Sequence, residues 1–451
     1  MNAEYIVLTT RQASTRDVFS GAAGDLVKHY ATAQALSTSV PIMNRIGGLA
    51  GAGAAFPESL LPNALPGLPA GLSGLASMAL PVPDIAVEVR SIDRSHLVDV
   101  SSAANVVAVA ESIPTVLLKE MHDTSSARAA TLANGQVAWG VHAVGADTSP
   151  YTGKGVVVAV LDTGIDHDHP AFAGIELIEE DFTGEGNGDK LGHGTHCAGT
   201  IFGRDSGGGR IGIAPGVEKA LIAKIIGNNG GGDSAMLAKA IEWAARNGAN
   251  VLSMSIGFDF PALERKMEAT LPARIALSRA LEAYRATIRL FESTAEQLRI
   301  KGMYGGGTVS IFLGAAGNET DRRQHRDYEV AVSPPANAEG FVSVGALGTV
   351  GGGDKLDVAF FSNTGPNVCA PGIDIVSARP GGDLVAMSGT SMATPHAAGV
   401  AALWAEKLMT EKMLTSGTLR DKLVGSATTS GFVGGFDRQD AGYGIVRAPQ
   451  A

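Results

Sequence analysis

The chain has 451 residues, 45% of them hydrophobic and 18% charged, with 35 basic against 45 acidic groups and a formal net charge of −10. That length supports a large core and two or more folded units, and the composition is globular. The acidic balance without a long basic run argues against a nucleic-acid partner, and the two cysteines, Cys197 and Cys369, argue against a disulfide framework or a zinc cluster.

The first residues lack a basic start followed by an apolar run, so a secretory signal is not expected and the expected compartment is the cytoplasm. Strand patterns at 4–10 ("EYIVLTT") and 84–91 ("DIAVEVRS") flank an insert at about 41–83. The insert is apolar but broken by Pro57, Pro62, Pro66, Pro69 and several glycines, so it cannot run as a membrane helix, and no membrane partner is expected. A short helix at 102–111 and a third strand at 115–119 ("TVLLK") complete a small α+β unit over 1–120. Residues 121–135 ("MHDTSSARAATLANG") are small, polar and unpatterned, which reads as an exposed linker.

From 136 onward, short β-branched runs alternate with helical patterns. The runs "GVVVAVLDTG" (155–164), "ALIAKIIG" (220–227), "ANVLSMSIG" (249–257), "TVSIFLGAAG" (308–317) and "FVSVGAL" (341–347) are continuous apolar strands. Such strands fit a parallel sheet covered on both faces by helices, an α/β class with three layers, α/β/α. "SAMLAKAIEWAARNG" is a helix. So is much of the segment 258–302, where Leu277, Leu281, Tyr284, Ile288, Phe291, Ala295 and Leu298 make one apolar stripe.

In such a sheet, reactive groups gather where strands end and helices begin. Three polar residues stand at such points. Asp162 ends "VVVAVLD", His193 lies in "LGHGTHCAGT" at a helix start, and Ser391 lies in "SGTSMATPHAAG", also at a helix start. A carboxylate, an imidazole and a hydroxyl are the parts of an activated serine, and each alone has a blander reading as a cap or a loop residue. Asn318 in "LGAAGNE" follows a strand, where its amide can donate to an oxyanion together with the Ser391 N–H.

"VAVLDTGIDHDHP", "GHGTHCAGTI", "IGIAPGV", "SMSIG", "AAGNE", "FSNTGP", "CAPG" and "SGTSMATPHAAGVAAL" together resemble the subtilisin-like serine proteases, in the family's order, over about 136–446. The resemblance implies a serine endopeptidase working through an acyl-enzyme, with protein or peptide substrates and no cofactor for the chemistry. Asp162, His193 and Ser391 match the family's triad, and Asn318 its oxyanion residue. His196, His169 and His396 then read as structural, and the pair His167 and His169 is not expected to bind metal. Cys197, one turn beyond His193, is expected to react with mercurials without serving as a nucleophile.

The family's substrate edges match Gly230, Gly231 and Gly232 on one side and Ser255, Ile256 and Gly257 on the other. Ala315, Ala316 and Gly317 match the wall of the first pocket, which small residues leave roomy. The loop "FGRDSGGGRIG" carries Asp205 as its only acidic ligand, which argues against a tight structural calcium site.

The 1–120 unit resembles the family's inhibitory propeptide only faintly, through "ESIPTVLLKE" (111–120). It implies a self-processing zymogen, cut between 119 and 136, whose own N-terminal unit inhibits a catalytic domain over 136–451. Rival readings are a ligase or cyclase using the same acyl-enzyme, and an inactive interaction protein whose cleft stays plugged.

Overall fold

The computed structural model describes residues 2–11, 84–118, 121, 128–205, 208–304 and 307–451. The insert at about 41–83 and most of the linker's first half lie outside the described residues. The described residues belong to one compact unit.

Strand β1 (Asn2–Arg11) pairs antiparallel with β2 (Asp84–Asp93) on one edge and with β3 (Val106–Glu111) on the other. A short helix, α1 (Leu97–Ser101), joins β2 to β3. The helix expected at 102–111 is thus a strand. "VVAVAE" alternates with period two, and its small alanines face inward, so the pairing with β1 overrides any helical preference of the alanines. One face of this sheet, with Ile6, Leu8, Ile85, Val87, Ala108 and Ala110, shares a core with the rest of the molecule.

The central sheet has eight strands, ordered β14-β13-β12-β10-β6-β8-β7, with β15 also on β13. In chain order these are β6 (Val157–Asp162), β7 (Glu176–Asp181), β8 (Lys219–Lys224), β10 (Val251–Met254), β12 (Ile311–Ala315), β13 (Phe341–Thr349), β14 (Leu356–Val358) and β15 (Val368–Pro371). All pairings are parallel except β13 with β14. The middle strands β10 and β12 are buried throughout, as the continuous apolar runs predict. The edge strand β7 reads "ELIEED", and its charges blunt an open edge.

Two small sheets flank the central one. In the first, β4 (Pro114–Leu117) lies between β9 (Gly231–Asp233) and β11 (Ile256–Phe258). In the second, β5 (Arg128–Ala130) pairs with β17 (Asp383–Met387), which pairs with β16 (Ile375–Arg379). Part of the expected linker is therefore paired backbone.

Beyond α2 (Trp139–Ala143), four helices pack close to the sheets: α3 (His193–Phe202), α4 (Ser234–Arg246), α5 (Phe260–Glu268) and α6 (Ala273–Tyr304). Helix α7 (Thr390–Thr410) is buried over most of its length. Its Glu406 carboxylate accepts the consecutive N–H groups of Thr152, Gly153 and Lys154 at 2.6, 2.7 and 3.2 Å, an anion in a backbone nest that ties α7 to the turn entering β6. No helix among the described residues is long and apolar enough to cross a membrane.

The segment 258–302 folds as α5 and α6, and α6 runs along β3. Its stripe is only partly as expected. Phe291, Ala295 and Leu298 are buried, but Leu277 and Leu281 are 47% and 56% exposed. Ala276, Ala280 and Ala283 turn inward instead, with Ala280 and Ala283 sharing a core with Ala108 and Ala110 of β3, a close approach that admits only small side chains. Lys301 pairs with Asp84 at 2.7 Å, Arg94 pairs with Glu282, and Val87 N–H donates to Glu242 Oε2 at 2.9 Å, so both α4 and α6 grip the N-terminal sheet.

Candidate active site

Strand β6 stands where the strand order reverses, because the chain builds β8 and β7 on one side and then β10, β12 and β13 on the other. Open α/β sheets gather ligands at the carboxyl ends of strands around such a point. Asp162 is the last residue of β6.

His193 opens α3, and its Nδ1 lies 2.7 Å from Asp162 Oδ1, with both side chains 1% exposed. The same Asp162 oxygen accepts the Thr163 N–H at 2.8 Å. Burial by itself depresses the imidazole, but the Asp162 charge and hydrogen bond outweigh it and hold His193 well above the ordinary value. Its Nε2 is buried with no hydrogen-bond partner among the described residues. Gly194 follows His193 because a Cβ there would collide with Gly164 O, so glycine lets α3 approach the turn after Asp162.

Ser391 is the second residue of α7, 2% exposed, and its Oγ donates to Ser255 O at 3.5 Å. Pro395 sits one turn later and has no N–H to offer the Ser391 carbonyl. That oxygen is taken instead by Ser255 Oγ at 3.0 Å and Cys197 Sγ at 3.4 Å. The proline thus frees the acceptor that cross-braces Ser391 to α3 and to the turn before β11. Burial pushes the Cys197 thiol up to about 11, so it stays protonated and serves here as a donor.

Asn318 lies three residues beyond β12. Its Oδ1 accepts the Thr390 N–H at 2.9 Å and the Thr390 Oγ–H at 2.8 Å, which turns Nδ2 toward Gly389, two residues before Ser391. The Met392 and Ala393 N–H groups donate to Gly389 O, and the Ser391 N–H is the remaining donor of the first turn, at the positive end of the helix. An acid, an imidazole, a hydroxyl and two convergent donors can together activate a nucleophile and hold an oxyanion.

The expected substrate edges are also brought together, and they are already filled. β4 pairs antiparallel with both: Thr115↔Gly232 and Val116↔Gly231 on one side, Thr115↔Phe258, Val116↔Gly257 and Leu117↔Ile256 on the other. Leu117 N–H donates to Gly230 O at 3.2 Å, and Met121 N–H donates to Ser388 O at 3.0 Å. Ala315 ends β12, and Ala316 and Gly317 follow it. Continuing the parallel register Met254↔Gly314 sets Ala315 beside Ser255.

Several residues escaped the sequence reading. Asp189 accepts from Thr163 Oγ1 (2.9 Å), Leu191 N (3.1 Å) and Gly192 N (2.8 Å) with one oxygen, and from Thr195 N (2.9 Å) and Thr195 Oγ1 (2.7 Å) with the other. It caps the helix that starts at His193 and steadies the residue after Asp162; an aspartate shortly before a glycine-led helix start was the signal. Buried Lys224, paired in register with Asp162, donates to Thr163 O, Gly188 O and Asn228 Oδ1 at 3.2, 3.1 and 3.0 Å. Asn363 holds the 316–320 loop, accepting from Glu319 N and Thr320 N and donating to Ala316 O.

His196 Nε2 donates to Ile375 O at 2.8 Å and His396 Nδ1 to Met392 O at 2.8 Å, away from Ser391. His169 caps its His-Pro turn through Ala171 N, and His167 pairs with Glu179. Among the described residues, one set of three potential metal donors converges, namely Asp162, His193 and Cys197, and all three are buried.

The pattern of the Subtilase family matches residues 153–444. The chain is 30% identical over 304 residues to subtilisin DY of Bacillus licheniformis, covering 65% of this chain and 93% of that one. It is 32% identical over 326 residues to subtilisin Savinase of Lederbergia lenta, covering 70% of this chain and 98% of that protein. Subtilisin-like protease 6 of Trichophyton rubrum is 33% identical over 287 residues, 58% of this chain and 57% of its own length, so the chain spans little more than half of that fungal relative.

Proposed function

The chain belongs to the subtilase family of serine proteases, and on that premise we propose that it is a self-processing endopeptidase whose own β4 occupies its substrate cleft. The observation that carries this reading is β4 itself, an internal strand hydrogen-bonded between two edges above a buried Asp–His–Ser set. An extended peptide held by both neighbours is how a substrate would enter.

In this reading Ser391 Oγ attacks the carbonyl carbon of the bound peptide, and its proton passes to His193 Nε2. Asp162 keeps the other imidazole proton on Nδ1 and steadies the imidazolium. The developing oxyanion rests on Asn318 Nδ2 and the Ser391 N–H. His193 then gives its proton to the leaving amine as the C–N bond breaks, and water repeats the sequence on the acyl-enzyme. Replacing Asn318 by alanine removes one oxyanion donor, and kcat is expected to fall about 10²–10³-fold with little change in KM. Stopped or continuous peptide assays on the processed enzyme measure this, and a loss confined to KM contradicts the role.

In the intact chain Ser391 Oγ points to Ser255 O while His193 Nε2 has no partner among the described residues, so nucleophile and base are not yet engaged. With β4 in place both are inaccessible. A fluorophosphonate probe is expected to label the intact chain slowly and the processed chain at least tenfold faster, an order-of-magnitude figure for uncovering a buried nucleophile. Equal labelling of the two forms contradicts self-inhibition.

The chemistry needs no cofactor. Arg210 supports a calcium-independent fold: its guanidinium, in the loop whose one acidic candidate ligand is Asp205, donates to the carbonyls of Gly212, Ala146 and Ile213 at 3.1–3.2 Å.

A further inference from the structure

The carboxylate of Asp189 reaches beyond the helix it caps. We propose that Asp189 is a positioning residue for the reaction, and that it sets two threonine hydroxyls which clamp the Asp162 segment against the His193 segment. This rests on the reading of Asp162 and His193 as the acid and base of a protease.

The clamp is reciprocal. Thr163 follows Asp162, Thr195 lies two residues after His193, and both are buried. Thr163 Oγ–H donates to Asp189 Oδ1 at 2.9 Å, and Thr195 Oγ–H donates to Asp189 Oδ2 at 2.7 Å. An ionised carboxylate only accepts, and a hydroxyl has one hydrogen to give. Each hydroxyl therefore turns its lone pairs away from Asp189, and each takes an N–H from the opposite segment. Gly194 N–H, beside His193, donates to Thr163 Oγ1 at 2.8 Å, and Asp166 N–H, beyond Asp162, donates to Thr195 Oγ1 at 2.9 Å.

Helix capping alone explains less. It accounts for the bonds from the Leu191, Gly192 and Thr195 N–H groups, which lie close to Asp189 in the chain. It does not account for Thr163, which belongs to the other segment, or for the crossed pair of N–H bonds. The rest of Thr163 is committed to the same place. Its N–H donates to Asp162 Oδ1 at 2.8 Å, the oxygen that meets His193 Nδ1 at 2.7 Å, and its carbonyl accepts from Lys224 Nζ at 3.2 Å. Valine at 163 would keep the side-chain shape but set a methyl group where neighbours stand at 2.8 and 2.9 Å. Carbon packs at about 3.5–4.0 Å, so the two segments would have to part. A misplacement on the order of 1 Å between reacting groups costs rate steeply.

Asp189→Asn keeps the shape of the side chain and exchanges one acceptor oxygen for an NH2 group that cannot accept. In the processed enzyme it is expected to lower kcat on a peptide amide about 10–100-fold, with KM within about twofold of the parent. Thr163→Val should act in the same way, and Thr163→Ser, which keeps the hydroxyl, should restore most of the rate. The double variant, Asp189→Asn with Thr163→Val, should be no slower than the worse single variant, because both break one clamp. A merely structural role would lower the melting temperature without this pattern. The Ser391→Ala full chain gives a readout that needs no turnover. Its His193 Nδ1 proton, held against Asp162, resonates far downfield in the proton NMR spectrum. That resonance is expected to shift upfield or vanish with Asp189→Asn and with Thr163→Val, and to persist with Thr163→Ser.

A parental kcat in Asp189→Asn, losses that multiply in the double variant, or a resonance unmoved by either substitution overturns the proposal. If the parent chain hydrolyses no peptide, the protease reading fails, and the resonance still decides the clamp. If Thr163→Val does not fold, Thr163→Ala removes the same hydroxyl without the added methyl group and takes its place in both measurements.

Discussion

Ser391→Ala is expected to lower peptide hydrolysis by about 10⁶-fold, to the level that binding and oxyanion donors sustain without a nucleophile. The variant should fold as the parent does. Ser391 is almost wholly buried, alanine is smaller, and the hydroxyl's recorded hydrogen bond is a long one of 3.5 Å to Ser255 O. Loss of one such bond costs about 1 kcal/mol or less. The backbone features that seat residue 391 do not involve its hydroxyl: Pro395 still frees the carbonyl, and Ser255 and Cys197 still take it. A variant with parental melting and no turnover places the chemistry on that one oxygen. Turnover within about tenfold of the parent would remove Ser391 from the role.

A second large effect concerns acid. Burial drives His196 down to about 3 and His396 down to about 4, each with one ring nitrogen donating to a backbone carbonyl. In the unfolded chain both would titrate near 6.5. A base whose pKa is depressed on folding contributes stability that is complete above about pH 6.5 and is lost as pH falls toward the folded value. Two such groups remove roughly 3 kcal/mol per pH unit between about pH 6 and 4, against a typical total of about 5–15 kcal/mol.

His193 does not oppose this, because over that window its raised pKa keeps it protonated when folded, and it is largely protonated when unfolded, near 6.5. Glu111 does oppose it in part, since burial raises its carboxyl and its contribution grows as pH falls. Unfolding is therefore expected near pH 4–5, with about two protons taken up per molecule. Denaturant melts of the Ser391→Ala chain across pH 4–8 measure it free of self-digestion. Stability that stays flat from pH 6.5 to 4.5 would show that these two histidines are not held neutral.

The residues of the candidate site were legible because each sits beside local signals of its own: Asp162 at a strand end, His193 and Ser391 at glycine-flanked helix starts, Asn318 after a strand. The parallel sheet was legible for a related reason, since strands buried on both faces read as unbroken apolar runs. What failed depended on distant contacts. "VVAVAE" could be read as helix until β1 supplied a pairing partner. In α6 the expected stripe put Leu277 and Leu281 inward, yet the spacing to β3 admits alanines and leaves those leucines outside. Asp189 is written plainly before His193, but its five acceptor contacts span 163–195 and exist only after folding. The place of β4 between β9 and β11 was the least legible feature, because its register is set by two edges more than a hundred residues away in the chain.

The most direct measurement of the account is the intact mass of the purified chain over time, beside the Ser391→Ala variant under the same conditions. The parent is expected to lose its N-terminal unit through a cut between 119 and 136 while the variant keeps its full mass. A variant that converts at the parental rate, or a parent that hydrolyses peptides while remaining whole, would contradict it.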